Sequence, residues 1–74
     1  MSPAVLDVKG LSCPLPILRA KKVMKDMPAG AVIEVLATDP GSVKDFAAFC
    51  QQTGNRLLSQ EQADGVYVFR IEKG

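Results

Sequence analysis

At 74 residues, 47% of them hydrophobic and 23% charged, the chain has enough apolar content to fold around one modest core rather than stay disordered. Its formal net charge of +1 supplies no strong field, which argues against a general nucleic-acid binder or a protein held on anionic membranes. Three Phe, one Tyr and no Trp leave the core mainly to Val, Ile, Leu, Met and Ala.

Two cysteines, Cys13 and Cys50, are too few for the disulfide framework of a small secreted domain, and no signal-like start precedes Val5. The expectation is a cytoplasmic protein, a single domain over residues 1–74, and a monomer. The longest apolar stretch, Ala31 to Ala37, is broken by Glu34 and falls far short of the roughly 20 residues that span a bilayer, so no membrane role is expected.

In chain order, Ala4 to Lys9 alternates with Leu6 and Val8 opposite Asp7 and Lys9, the period of a half-buried strand. Gly10 to Pro16 is punctuated. From Pro14 to Met27 the residues Ile17, Ala20, Val23, Met24 and Met27 recur at helical spacing, and Pro28 with Gly30 ends that helix. Ala31 to Thr38 is rich in β-branched residues and predicts a central strand, with Ile33 and Val35 on one face and Val32, Glu34 and Leu36 on the other.

Asp39-Pro40-Gly41-Ser42 marks a turn into a second helix over about Ser42 to Thr53, stopped by Gly54. Either Asp39, or Ser42 ahead of Asp45, suits its N-cap. On its helical wheel Val43, Phe46, Ala47 and Cys50 share a face, so Cys50 is expected in the core and unreactive. Asn55 to Gln62 and Val66 to Glu72 read as antiparallel strands joined through Ala63-Asp64-Gly65, a strong hairpin signal. The order β-α-β-α-β-β predicts a two-layer α/β sandwich, one four-stranded mixed sheet with both helices on one face.

Chemistry concentrates at Ser12-Cys13-Pro14-Leu15-Pro16, where the first strand gives way to the first helix. Cys13 is expected at or beside the N-cap and Pro14 at the first helical position, where a missing N–H costs nothing. A sulfur anion there would meet free N–H groups and the positive helix end, predicting a thiol more acidic than a free cysteine. Without His there is no Cys-His hydrolase and no common zinc ligand; there is also no Cys-x-x-Cys pair and no glycine-rich phosphate loop. An isolated nucleophile describes a carrier better than a self-sufficient hydrolase.

Leu6-Asp7-Val8-Lys9-Gly10-Leu11-Ser12-Cys13-Pro14-Leu15-Pro16, the run Arg19-Ala20-Lys21-Lys22, and Ala37-Thr38-Asp39-Pro40-Gly41-Ser42 resemble the TusA/SirA/YedF family of sulfur-transfer proteins over roughly residues 4 to 73. The resemblance implies a fold similar to the C-terminal domain of bacterial translation initiation factor 3. It also implies a persulfide on Cys13, with no other cofactor, received from a cysteine desulfurase or rhodanese-like donor. Acceptors in that family include a relay for 2-thiouridine in tRNA and, in some bacteria, sulfur-oxidation or molybdenum-cofactor systems; selenium metabolism is another branch. Leu15 stands where relatives vary, and bears on the choice of partner rather than on the chemistry.

Around Cys13, the prolines Pro14 and Pro16 stiffen the turn. Asp39 is expected at the same sheet edge because the first two strands should be parallel neighbours. A carboxylate beside a thiolate would raise the thiol pKa, so Asp39 is read as shaping the site rather than as a base. Leu15 and Leu18 point away from the Ile17, Ala20, Met24 and Met27 stripe and, with Arg19, Lys21 and Lys22, are expected to form a partner-docking surface. The competing functions are an RNA-binding module using the basic helix and a non-catalytic regulatory domain; scarce aromatics and near-neutral charge argue against direct nucleic-acid binding.

Overall fold

The computed structural model describes residues 4–74. Its elements are β1 (Ala4–Asp7), α1 (Leu15–Lys25), β2 (Val32–Ala37), α2 (Ser42–Thr53), β3 (Arg56–Ala63) and β4 (Val66–Glu72). The four strands form one mixed sheet in the order β1-β2-β4-β3. β1 runs parallel to β2, and β4 is antiparallel to both β2 and β3. This is the expected two-layer α/β arrangement.

Alternation in β2 buries Ile33, Val35 and Ala37 under the helices, while Val32, Glu34 and Leu36 take the opposite face. Phe69 and Ile71 of β4 complete the buried sheet surface. Phe46 of α2 stacks on Phe69 with ring centroids 4.8 Å apart, and Phe49 meets Phe46 edge-on at 6.3 Å, so three of the few aromatics form the centre of the core. From α1, Ala20 and Met24 join them.

Several boundaries differ from the periodicity. β1 ends at Asp7 rather than Lys9. Val8 is still buried and its N–H bonds Leu36 O at 2.8 Å, but Lys9 folds back to bond Asp7 through both its backbone N–H and its ammonium. α1 starts at Leu15 and stops at Lys25, because Met27 N–H closes a short turn on Met24 O at 3.1 Å before Pro28.

Val23, expected on the apolar stripe, is 38% exposed; the stripe is narrower than the spacing suggested. In α2 the buried face runs through Ser42, Phe46, Phe49 and Cys50, and Ala47 is exposed. The helix is rotated so that the larger Phe49 takes the inward place, since burying an aromatic ring removes more apolar area than burying a methyl group. β3 carries a bulge between Leu57 and Ser59 that leaves Leu58 outside the core. Asp64 and Gly65, with φ of 53° and 79°, make the two-residue turn that Asp-Gly favours.

Candidate functional site

The parallel pairing of β1 with β2 brings the segments that follow them to one edge of the sheet. They are tied together there. Gly10, at φ 82°, donates its N–H to Thr38 Oγ1 at 2.9 Å, and Cys13 donates its N–H to Asp39 Oδ2 at 3.0 Å. Asp39 thus meets Cys13 as expected, but through the Cys13 backbone.

Neither residue proposed as the N-cap of α2 fills that position with its side chain. Gly41 is the cap residue and no side-chain cap bond forms. Asp39 instead contributes its backbone carbonyl, which accepts from Ser42 N–H at 3.0 Å, and Ser42 is buried. The Asp39 carboxylate is engaged by the Cys13 turn.

Cys13 is a free, exposed thiol and Cys50 a free, buried one. The α1 N-terminus is shifted by one residue from the expectation: Pro14 is the N-cap, Leu15 is first in the helix, and Pro16 is buried at the second position. The Cys13–Pro14 peptide is cis. The first turn has few donors to offer a sulfur anion, because Pro16 has no N–H and the Leu15 N–H is bonded to Ser12 O at 2.9 Å.

The electrostatics reverse the expected acidity. Sγ of Cys13 and carboxylate oxygens of Asp39 and Asp45 lie within 4.8 Å of one another. The Asp45 carboxylate beside the sulfur pushes the Cys13 pKa up; desolvation and the negative charge of Asp39 act in the same direction. A carboxylate this close outweighs the partial charge of a helix end. Burial alone pushes the Cys50 thiol up.

An open groove of about 310 Å³ runs between α1 and α2 with Cys13 and Pro14 on its rim. Leu18 and Lys21 come from α1; Asp45, Phe49 and Thr53 come from α2. Leu15 and Leu18 are both exposed, at 43% and 52%. Only Leu18 lines the groove; Leu15, Arg19 and Lys22 lie on exposed parts of α1 beyond that lining.

In the sequence Asp45 stands out only as the residue behind the candidate cap Ser42. Its place beside Cys13 depends on how α2 packs against the start of α1, which no local pattern encodes.

The family model described as Sulfurtransferase TusA matches residues 4–73. The chain is 57% identical over 68 residues to the sulfur carrier protein TusA of Allochromatium vinosum, covering 92% of this chain and 90% of that one. It is 40% identical over 70 residues to the sulfur carrier protein TusA of Pseudomonas entomophila, covering 95% and 88%. A crystal structure of a SirA-like protein from Desulfitobacterium hafniense superimposes with a TM-score of 0.85 at 29% identity, covering 96% and 97% of the two chains.

Proposed function

Because this chain belongs to the TusA sulfurtransferase family, we propose that it is a sulfur carrier that takes up one sulfur atom as a persulfide on Cys13 and hands it to an acceptor protein. The observation that carries this reading is the exposed, unpaired Cys13 thiol at the rim of the groove, with the other cysteine buried.

Loading starts from a donor persulfide, R–S–SH, on a cysteine desulfurase or a rhodanese-like protein. Cys13 Sγ attacks the donor's outer sulfur. One S–S bond forms, the donor's S–S bond breaks, and the donor leaves as a thiolate that takes up the proton lost by Cys13. No net oxidation occurs and no further cofactor is needed. Transfer onward repeats the exchange with an acceptor thiol attacking the outer sulfur now held on Cys13.

Pro14 and Pro16 stiffen the turn that carries the sulfur, and Asp39 fixes it through the Cys13 N–H. Leu18 and Lys21 in the groove, flanked by Leu15, Arg19 and Lys22, supply the apolar contact and positive rim for a transient partner. The cytoplasm suits a carrier whose thiol must stay reduced between rounds. The acceptors we propose are a tRNA 2-thiouridine relay, a sulfur-oxidation system or cofactor biosynthesis.

Intact-mass analysis after incubation with a cysteine desulfurase and cysteine tests the reading. One added sulfur is expected, lost on Cys13→Ser and kept on Cys50→Ala. Persulfide on Cys50, or none on the wild-type chain with any of several desulfurase or rhodanese donors, would remove the proposal.

A further inference from the structure

Two carboxylates from two segments lie beside the Cys13 sulfur, Asp39 from the turn after β2 and Asp45 from the first helical residues of α2, and Lys21 of α1 lines the same groove. Both carboxylates oppose a thiolate at Cys13. They are not equivalent. Asp39 already accepts the Cys13 backbone N–H at 3.0 Å, whereas Asp45 lines the groove with Cys13 and, among the described residues, makes no ion pair. It is also half-buried, which strengthens its interaction with a neighbouring polar hydrogen.

We infer that Asp45 is a positioning residue that holds the unloaded Cys13 as a neutral thiol, its S–H donated to the Asp45 carboxylate, so that the empty carrier is less reactive toward small electrophiles and oxidants than an equally exposed free cysteine. This deepens the carrier reading and rests on it for its purpose. An exposed thiolate would be oxidised or alkylated between rounds. A hydrogen-bonded thiol beside fixed negative charge resists both, because the thiolate is the reacting species. The raised Cys13 pKa is in the same direction.

The test is the pH dependence of iodoacetamide alkylation at Cys13 in a Cys50→Ala background, which needs no sulfur donor. The unsubstituted site should show a midpoint above the ~8.5 of a free cysteine. Asp45→Asn and Asp45→Ser should lower it, and Asp45→Glu should keep it high. At neutral pH, Asp45→Asn should be alkylated severalfold faster, the gain in thiolate being partly offset by the weaker nucleophilicity of a more acidic thiol. Thermal unfolding of each variant separates this from a folding defect, which would not move the midpoint while the native fold persists.

An unchanged midpoint in both the Asn and Ser variants overturns the inference. So does a larger fall in Asp39→Asn than in Asp45→Asn, which would make Asp39 the holding group. Failure of sulfur loading with the expected alkylation profile intact would instead count against the carrier reading alone.

Discussion

A single backbone N–H joins the sulfur-bearing turn to the loop beyond β2, since Cys13 donates to Asp39 Oδ2 at 3.0 Å. Asp39→Ala should cost about 1 kcal/mol in denaturant unfolding, the ordinary net value of one hydrogen bond, and should increase amide exchange at Cys13. Cys50 makes a different prediction. Burial raises its pKa, so the folded chain holds that proton more tightly than the unfolded one. The resulting stability is fully present below the pKa of a free thiol and is lost as pH rises through the higher folded value. Unfolding midpoints measured across that alkaline range should fall in the wild-type chain and fall less in Cys50→Ala.

At the scale of elements, α1 presents two faces. Ala20 and Met24 enter the core, while Leu15 and Leu18 remain exposed. Substituting either leucine by Ser should shift stability by no more than about 0.5 kcal/mol, as for most surface changes. The groove separates the two: Leu18 lines it and Leu15 does not. Sulfur loading from a donor protein should therefore slow more in Leu18→Ser than in Leu15→Ser, read as the initial rate of mass gain. Equal rates in both variants and wild type would show that this face is not used. The two-faced pattern was legible from a 100° periodicity because it depends only on spacing within one helix. The outward place of Val23 and the inward place of Phe49 were not, because helix rotation is decided by what the facing strands offer.

For the molecule as a whole, one aromatic cluster joins the layers. Phe46 touches both Phe69 of the sheet and Phe49 of its own helix and has no exposed surface. Phe46→Ala should cost about 3–5 kcal/mol by lost contacts and a residual cavity. A core in a chain this small supplies only about 3–5 kcal/mol in total. The variant is expected to be largely unfolded at room temperature by circular dichroism, with Cys50 then open to alkylation. Native spectra with Cys50 still protected would mean that the sheet and helices hold together without this ring.

The order of elements, the Asp64-Gly65 turn, the inward residues of β2 and the exposed thiol of Cys13 follow from the sequence by itself, because each rests on local spacing or on the backbone preferences of Gly and Pro. The arrival of Asp39 at the Cys13 turn was also foreseeable, since parallel neighbouring strands must deliver their following loops to the same edge. The acidity of Cys13 was not. The local pattern of a strand followed by Cys-Pro-Leu-Pro points to a helix end that favours the thiolate, yet Asp45, thirty-two positions away in the chain, comes within reach of the sulfur only when α2 packs beside α1. Coulomb energy depends on distance through space, so the tertiary structure decided the sign of the effect.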